Sequence, residues 1–364
     1  MTKKKILTVV GARPQFIKAA AISKIIKRKN LLNEVIVHTG QHYDNNMSKI
    51  FFKKLKIKKP KYFLKVKNLT HNLMISKMIN RLDKIYEKEK PDGLIVYGDT
   101  NSSLSAAISA KKRMIPVFHI ESGVRNQDET MPEESNRYLI DRVSSINFCA
   151  TELNFKNLIR EGFGTDSIKS KIFKSGDVMY DLFLNFKNKR KKKLFNKKEI
   201  LKKNKSIICT IHRESNIENI NNLKNIILAL NELNIDNSVI LIAHPRTKKK
   251  ILEKKIFCNF KIHDPIDYEK MMNYILESKL VITDSGGLVR EAYFAKKKSL
   301  FILEHPVWPE IIEQGYCLNA PPNKSKILNA YKNLLKPIRK FKKNIFGNGK
   351  ASSLIVSQIN KYLN

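Results

Sequence analysis

Short apolar runs alternate with longer segments of helical period along the whole chain. The runs are nearly continuous in Val, Ile, Leu and Phe, which is typical of strands buried on both faces of a parallel sheet. They cover residues 6–10, 34–38, 93–99, 116–122, 146–151 and 171–177, and then 206–212, 238–244, 260–264, 280–286 and 299–304. Residues 14–29 and 71–88 have the length and period of helices. This alternation predicts an α/β fold built from two parallel-sheet halves.

The alternation lapses between the two halves. Residues 186–205 hold eleven Lys and Arg and lack apolar periodicity, which is more typical of a solvated linker or surface helix than of a nucleic-acid contact. We therefore predict an N-terminal domain over residues 1–185, a basic connector over 186–205 and a C-terminal domain over 206–345. Two parallel sheets that face each other would form a cleft lined by the loops at their strand ends, where such sheets bind ligands.

The charge of the chain raises a second possibility. Of 364 residues, 70 are Lys or Arg and 33 are Asp or Glu, which gives +37, and 42% are hydrophobic, which excludes a disordered or histone-like chain. A strongly basic balance is typical of proteins that bind nucleic acid or anionic membranes. However, 57 of the cations are Lys and 13 are Arg, and scattered Lys usually covers a solvated surface. Without a recognised nucleic-acid module, nucleic-acid binding is the least favoured function, and we expect no nucleic-acid partner.

Cysteines and apolar stretches bear on the compartment. Cys149, Cys209, Cys258 and Cys317 lie far apart, three of them in strand-like runs, which predicts buried free thiols in a reducing compartment. The first apolar run has five residues, too few for a signal peptide, and no stretch approaches the ~18 apolar residues of a membrane span. These patterns predict a cytoplasmic protein without membrane insertion.

Polar side chains follow the predicted strands of the N-terminal half. Arg13 and Lys18 stand near the turn at Gly11, which forms either an anion site at a helix N-terminus or a purely structural turn. One glycine of the G-x-G-x-x-G motif is present, so a tightly held NAD is not predicted. Asp99 and Glu121 each end a buried strand in a chain that uses acids sparingly. Several carboxylates together suit proton transfer at carbon, because one removes a proton and another returns it.

The strand ends of the C-terminal half favour an anionic ligand. His212 and His244 each end a strand, and without a His-x-x-x-His or Cys/His cluster they predict contacts to an anion rather than a metal site. The Ser-Gly-Gly turn at residues 285–287 leads from a strand into a helix, an arrangement that predicts a phosphate site. Glu291, one turn further on, could accept hydrogen bonds from a ribose diol.

Nine motifs follow one another along the chain from about residue 6 to residue 315. They are GARPQFIKAA, GQHYD, VYGDTNSSLSAA, HIESGVR, MPEESNR, GDVMYD, IHRESN, HPRT and DSGGLVREA. In order and spacing the chain resembles the non-hydrolysing UDP-N-acetylglucosamine 2-epimerases. The resemblance implies a glycosyltransferase-B type architecture, with two Rossmann-like domains facing across a cleft and a final helix at residues 350–364 that packs back on the first domain. It also implies a homodimer and a UDP-sugar substrate.

The resemblance implies a reaction as well. UDP-GlcNAc and UDP-ManNAc would interconvert, for surface polysaccharide synthesis, by elimination of UDP across carbons 1 and 2 and its re-addition with the proton on the opposite face. No ketone forms, so no cofactor and no metal are expected. Asp99, Glu121 and Glu133 match the acid/base carboxylates, and His212 matches a histidine that assists departure of UDP. The residues that match the substrate-binding ones are Arg13, Lys18, Gln41, His42, Arg137, His244, Ser285, Gly286, Gly287 and Glu291.

Several positions leave more than one interpretation open. By their place near a helix start, Glu133 and Glu134 need no role beyond complementing the helix dipole. Ser215 stands where the family has a glutamate, and Leu303 and Trp308 lie in a loop that lacks the family's two arginines, which leaves open an effector site for a second UDP-sugar. The GARPQFIK form and Trp308 resemble the branch that includes UDP-2,3-diacetamido-2,3-dideoxyglucuronate 2-epimerases. A hydrolysing epimerase and a glycosyltransferase share the same fold and stay open as well.

Overall fold

The computed structural model describes residues 3–41, 57–67, 69–126, 128–192, 206–304, 307–337 and 344–364. They form two units, one of Met1–Asn185 with Asn344–Asn364 and one of Phe186–Lys343. The strands that begin in the first unit are β1 (Lys4–Val10), β2 (Leu32–His38), β3 (Tyr62–Phe63), β4 (Gly93–Tyr97), β5 (Val117–Ser122), β6 (Ile146–Cys149) and β7 (Lys171–Lys174). The helices that begin there, before the second unit, are α1 (Arg13–Lys29), α2 (His71–Glu89), α3 (Asn101–Lys112), α4 (Pro132–Val143), α5 (Glu152–Arg160) and α6 (Val178–Lys192).

The second unit repeats the alternation of strands and helices. Its strands are β8 (Ser206–Thr210), β9 (Ser238–Ile242), β10 (Lys261–His263), β11 (Leu280–Thr283), β12 (Lys298–Ile302) and β13 (Cys317–Ala320). Its helices are α7 (Glu214–Ile217), α8 (Ile220–Asp236), α9 (Pro245–Glu253), α10 (Tyr268–Glu277), α11 (Gly286–Phe294), α12 (Pro309–Glu313) and α13 (Lys324–Leu335). The chain then returns to the first unit with α14 (Ala351–Leu363).

Both sheets are parallel and share one strand order. Among the described residues the first sheet runs β3-β2-β1-β4-β5-β6-β7, and the second runs β10-β9-β8-β11-β12-β13. In each, the order reverses beside the first strand, between β1 and β4 and between β8 and β11. This is the Rossmann arrangement, and ligands bind outside the carboxyl ends of the strands at such a reversal. The predicted fold class of two Rossmann-like parallel-sheet domains is confirmed.

The apolar runs explain why these strands are central. Ile6, Leu7, Val9 and Val10 of β1 are fully buried, because helices cover both faces of the sheet. The corresponding core of the second unit includes Ile207 and Cys209 of β8 together with Ile282 of β11. Burial of such side chains stabilises each sheet by about 1.5–3 kcal/mol per residue.

Two strands and one helix differ from the sequence prediction. β3 has two residues and β13 has four, with a partly buried asparagine at position 319, so neither shows the continuous apolar run used to find the others. α6 continues to Lys192, seven residues into the predicted connector, because Phe183 and Phe186 are buried one turn apart and anchor it. Residues 193–205 of that connector lie outside the described residues.

The last helix, α14, packs on α1 within the first unit. The Asp181 carboxylate accepts hydrogen bonds from the backbone N–H groups of Ala351 (3.2 Å) and Ser352 (2.7 Å), which caps the helix start. Lys29 Nζ donates to Ser357 Oγ (2.8 Å), and Ile355, Val356 and Ile359 are buried. α14 thus packs within the first unit, although it begins more than 160 residues after Asp181 in the sequence.

The cysteines and helices also bear on the sequence predictions. All four cysteines are free, and three are buried in β6, β8 and β13. Cys258 is only half-buried, because it lies in the coil between α9 and β10 rather than in a strand. Within the part of the chain that the structure describes, no helix combines the length and apolar character needed to span a membrane.

Candidate active site

The strand reversal of the first sheet places the turn after β1 against the start of α3. A Cβ added at Gly11 would lie 2.1 Å from the hydroxyl oxygens of Ser102 and Thr39, so this position accepts only glycine. Gln15 then ties the turn to β4. Its Oε1 accepts from the N–H groups of Gly11 (2.7 Å) and Ala12 (3.0 Å), and its Nε2 donates to the carbonyl oxygen of residue 97 (2.9 Å). The ends of β1 and β4 therefore form one cross-linked edge.

Asp99 lies at this edge and is held by two α4 side chains. Arg137 donates to Asp99 Oδ2 from Nε (2.9 Å) and Nη2 (2.5 Å), and from Nη1 to Glu134 Oε2 (2.5 Å). Asn136 Nδ2 donates to the Asp99 backbone oxygen (2.8 Å). Both arginine contacts use Oδ2, and among the described residues Oδ1 of this partly exposed carboxylate has no partner. One oxygen is thus anchored and the other remains for chemistry.

Glu121 occupies the end of the neighbouring strand β5 in a strained conformation. Its φ is +72°, a backbone angle that residues other than glycine rarely adopt because it costs about 1–2 kcal/mol. Lys18 Nζ from α1 lies 2.7 Å from Glu121 Oε1, and both side chains are nearly buried. A Cβ placed at Gly98 would lie 3.2 Å from Lys18 Nζ and 3.5 Å from Glu121 Oε1, so the residue before Asp99 contacts this pair. Asp99 and Glu121 thus follow from adjacent strands, and each carboxylate is paired with a cation.

A fully buried histidine lies behind both strand ends. His119 Nδ1 is 2.6 Å from Asp141 Oδ1, and its Nε2 is 3.0 Å from the carbonyl oxygen of Gly98. Since a carboxylate and a carbonyl can only accept, both ring nitrogens donate and the ring carries a positive charge. Asp141 Oδ2 also accepts from Gly123 N (3.1 Å), directly beyond the Glu121 bend. One carboxylate thus fixes the backbones that present Asp99 and Glu121.

Asp141 is ionised although it is fully buried. Burial by itself raises the pKa of its carboxyl, but the hydrogen bond and charge of His119 and the charge of Arg125 outweigh burial and hold the pKa below its ordinary value. Arg125 Nη2 lies 2.8 Å from Asp141 Oδ2 and 2.7 Å from Glu161 Oε2. The cluster contains two cations and two carboxylates, so its charges balance.

The other predicted residues of the first unit are placed in different ways. Gln41 Oε1 accepts from the N–H (3.1 Å) and the hydroxyl (2.7 Å) of Ser102, which ties the end of β2 to the start of α3. Glu133 is exposed in the first turn of α4, where its charge complements the helix dipole. Arg13 is the first residue of α1, and its side chain lies outside what the structure describes. His42 also lies outside the described residues.

The strand reversal of the second sheet centres on Asp284, directly after β11. This fully buried carboxylate accepts from the N–H groups of His212 (3.0 Å) and Arg213 (2.9 Å), from Asn216 Nδ2 (3.1 Å) and from His212 Nδ1 (2.7 Å). Burial alone raises the pKa of Asp284, but the His212 charge and these hydrogen bonds hold it below its ordinary value. Because Nδ1 donates to Asp284, Nε2 of the half-exposed His212 ring is left for a ligand.

The predicted phosphate turn follows Asp284. Ser285 caps α11 and accepts from Leu288 N (3.4 Å), and Gly286 starts the helix. A Cβ at Gly286 would lie 3.4 Å from Trp308 Nε1, so the indole lies beside this turn. Gly287 and Glu291 are the second and sixth residues of the same helix, and Glu291 is buried. The strand, turn and helix N-terminus predicted from the sequence are therefore present.

His244 and Arg290 complete the second edge. His244 caps α9 and accepts from Arg246 N (3.3 Å) through Nδ1, so it has a local structural role. The Arg290 guanidinium lies 4.5 Å from the centre of the Trp308 ring, and both side chains are buried. Among the described residues, no three His, Cys, Asp or Glu side chains are grouped as metal ligands would be.

Several residues of these edges were not identified from the sequence. Gln15, His119, Glu134, Asp141 and Asp284 carry hydrogen bonds to the backbone and side chains of these edges, and for Glu134 the sequence indicated only a contribution to the helix dipole. Most of them lie inside the nine motifs. The signal for a functional residue there was an acid, amide or imidazole next to a buried strand. Their partners could not be read from that signal, because 22 residues separate His119 from Asp141 and 72 separate His212 from Asp284.

Two Rossmann-like sheets with charged side chains at their strand reversals define a class of α/β proteins that bind ligands at the carboxyl ends of the strands. The family model described as UDP-N-acetylglucosamine 2-epimerase matches residues 24–360. The chain belongs to this family, and the resemblance noted in the sequence is confirmed.

Individual relatives match over nearly the whole chain. The UDP-2,3-diacetamido-2,3-dideoxy-D-glucuronate 2-epimerase of Pseudomonas aeruginosa is 38% identical, covering 98% of this chain and 99% of that protein. The UDP-N-acetylglucosamine 2-epimerase of Methanocaldococcus jannaschii is 36% identical, covering 97% and 98%. A crystal structure of the Methanocaldococcus jannaschii enzyme in complex with UDP-GlcNAc and UDP is similar with a TM-score of 0.89 at 35% identity, covering 98% of this chain and 99% of that one.

The buried cluster behind the first edge leads to a stability prediction. Replacing Asp141 with Asn leaves His119 and Arg125 without their shared buried counter-charge. Because breaking a buried ion pair leaves an uncompensated charge, we expect the free energy of unfolding to fall by about 3 kcal/mol. Urea denaturation followed by circular dichroism measures this change.

Asp236→Asn is the matched control, because Asp236 is an exposed residue at the end of α8. It should change the free energy of unfolding by less than about 0.5 kcal/mol. Equal denaturation midpoints for the two variants would show that Asp141 does not hold the cluster.

Proposed function

We propose that this protein is a non-hydrolysing UDP-sugar 2-epimerase that interconverts UDP-GlcNAc and UDP-ManNAc. The observation that carries the proposal is the pair of carboxylates Asp99 and Glu121 at adjacent strand ends, each fixed by a cation of its own. Membership of the epimerase family supports the choice of reaction. Surface polysaccharide synthesis is the process that such a product would supply.

The chemistry explains why two fixed carboxylates are needed. Carbon 2 of a UDP-sugar is not adjacent to a carbonyl, so its proton is too weakly acidic to be removed and returned without a further change. Elimination solves this difficulty, because a carboxylate takes the carbon 2 proton while the bond from carbon 1 to the UDP oxygen breaks and UDP keeps the electron pair. UDP then adds back to carbon 1, and an acid delivers a proton to the opposite face of carbon 2.

The first unit supplies the proton-transfer groups in this proposal. Asp99 has its Oδ2 anchored by Arg137 and its Oδ1 available for a proton. Glu121 pairs with Lys18, and Glu133 is an exposed acid at the start of α4. We assign Arg137 to the positioning of Asp99, while Arg13, Lys18, Gln41 and His42 remain proposed substrate-binding residues.

The second unit supplies the nucleotide site in this proposal. Ser285, Gly286 and Gly287 would bind phosphate oxygens at the start of α11, and the buried Glu291 would accept from the ribose. His212, oriented by Asp284, would donate from Nε2 to the departing UDP oxygen. His244 would contribute to the same site. The elimination exchanges no electrons with an outside acceptor, so the reaction balances without a redox cofactor.

A second sugar is a specific alternative. The Pseudomonas aeruginosa relative, 38% identical, is a UDP-2,3-diacetamido-2,3-dideoxy-D-glucuronate 2-epimerase. Trp308, which lies beside the Ser-Gly-Gly turn in the loop that lacks the family's two arginines, supports the same branch. Both sugars undergo inversion at carbon 2, so the alternative changes the substituents that are recognised and leaves the chemistry unchanged.

We also infer that the chain acts as a homodimer in the cytoplasm. Three buried free cysteines, with thiol pKa values raised by burial, fit a reducing compartment. Sedimentation equilibrium of the purified chain should give twice the monomer mass of 42.2 kDa. A mass equal to one chain at all concentrations would contradict the dimer.

The reaction is tested by incubating the purified protein with each UDP-sugar in heavy water. Because the carbon 2 proton exchanges with solvent in the elimination, we expect deuterium at carbon 2 together with the manno epimer. Proton NMR of the hydrogen on carbon 2 follows both the deuterium incorporation and the change of configuration.

The products distinguish the candidate reactions. Free sugar with an equal amount of UDP would identify a hydrolysing enzyme, and transfer to an acceptor would identify a glycosyltransferase. If neither sugar gains deuterium or changes configuration, the proposed epimerase activity is wrong.

Asp99→Asn tests the proton-transfer role. The amide keeps a shape similar to that of the carboxylate but cannot take a proton, so we expect kcat to fall by at least about 100-fold. Affinity for UDP should stay unchanged, because Asp99 belongs to the first unit and the proposed UDP site to the second. Asp236→Asn is again the control. Turnover close to that of the unmodified protein would exclude Asp99 from the proton-transfer step.

A further inference from the structure

A basic pocket lies in the first unit at the amino end of its sheet, opposite to the edge that carries Asp99. Its cavity of about 440 Å³ is in the size range of small-molecule sites. Four of its lining residues are cations and four are serines, and none is an acid. These lining residues are Lys111, Arg142, Lys169 and Lys171, with Ser144, Ser145, Ser167, Ser170, Ile168 and Tyr362.

The four cations of the pocket differ in their ion pairing from the cations at the edge that carries Asp99. Lys18 and Arg137 are nearly buried and ion-paired with carboxylates, whereas none of the four pocket cations forms an ion pair within the described part of the chain. Like charges that share one cavity repel each other, and no acidic group of the lining offsets this repulsion. An anion in the pocket would remove the repulsion.

Two of the serine hydroxyls in the pocket accept a hydrogen bond and can each donate one to a ligand. Ser170 Oγ accepts from Asn147 Nδ2 (2.9 Å), and Ser145 Oγ accepts a longer bond from Val117 N (3.4 Å). Asn147 is fully buried, so the bond to Ser170 fixes the hydroxyl position. Neither hydroxyl proton has an acceptor among the described residues. A bound oxyanion would supply those acceptors.

Tyr362 from α14 forms part of the pocket wall. Its ring packs edge-on against the buried Phe118 ring at a centroid distance of 5.6 Å. Lys171 Nζ lies 5.5 Å from the centre of the same tyrosine ring. The wall is therefore fixed by the packing of the last helix, and a cation of the pocket is placed against it.

We propose that this pocket is a second anion site of the protein, which binds a small ligand carrying more than one phosphate charge. Cations and hydroxyls without a carboxylate are the donor set that phosphate oxygens need. The cavity is concave and localised, which fits a compact phosphate group better than an extended nucleic-acid strand. The proposal is independent of the epimerase activity, since none of these residues belongs to the catalytic edge.

A matched pair of double variants tests the site. Lys111 and Lys112 lie in the last turn of α3, but only Lys111 lines the pocket, and Arg142 and Arg160 lie in the last turns of α4 and α5, but only Arg142 lines it. The test variant is Lys111→Gln/Arg142→Gln and the control is Lys112→Gln/Arg160→Gln. Each removes two exposed cations from helix ends, so the net charge and the helix-dipole effects are matched.

Inorganic pyrophosphate is the probe, titrated calorimetrically into the full chain with UDP in excess to occupy the proposed nucleotide site. We expect saturable binding that the test variant weakens by at least about tenfold and the control leaves unchanged. Cosedimentation with phosphatidylcholine vesicles containing phosphatidic acid forms a second arm. Loss of vesicle binding in the test variant alone, without pyrophosphate binding, would identify a lipid headgroup as the source of the phosphate.

Other outcomes would overturn the proposal. These are the absence of saturable binding of either probe, or equal weakening in the two double variants, which would indicate non-specific attraction to a basic surface. Both variants should keep the unmodified kcat and KM in the epimerase assay. If that assay fails for every form of the protein, the calorimetric difference between the variants still decides whether the second anion site exists.

Discussion

A carboxylate buried at the carboxyl edge of a sheet must be met by cations or by N–H groups, and the structure around both strand reversals depends on this constraint. Isolated, it would cost several kcal/mol, because a charge loses its hydration on burial. Asp141 is met by a protonated histidine, an arginine and a backbone N–H, and Asp284 by a histidine, an asparagine and two backbone N–H groups. Each group of donors also determines where the neighbouring loops lie, so satisfying one buried charge positions the residues proposed for catalysis.

Each unit compensates a buried carboxylate, and the side chains that this compensation positions differ between the two units. In the first, compensation of Asp141 fixes the loops that carry Asp99 and Glu121, and the positive φ of Glu121 is tolerated because Lys18 and Gly123 hold the bend from both sides. In the second, the contact between Asp284 Oδ1 and His212 Nδ1 orients the His212 ring and leaves Nε2 for a ligand. The proposed proton-transfer groups thus belong to one sheet and the proposed nucleotide site to the other.

The excess of positive charge has a different meaning at the two edges of the first sheet. At the carboxyl edge, Lys18, Arg125 and Arg137 are each paired with carboxylates, so their charges are compensated within the protein. At the amino edge, Lys111 and its neighbours in the pocket have no such partners among the described residues. Most of the 70 basic residues belong to neither group and give the surface a field that attracts anions without selecting among them.

The sequence by itself determined the fold class, the central strands and the family, because burial on both faces of a strand leaves a continuous apolar run and each motif is local. It also identified Asp99, Glu121, His212 and the Ser285 turn as candidates. Tertiary structure decided what holds them. Arg137, expected to contact substrate, pairs with Asp99 across 38 residues, and Asp141 and Asp284 are the centres of their clusters. Such pairings follow from strand order, which brings distant segments to one edge and which no local periodicity encodes.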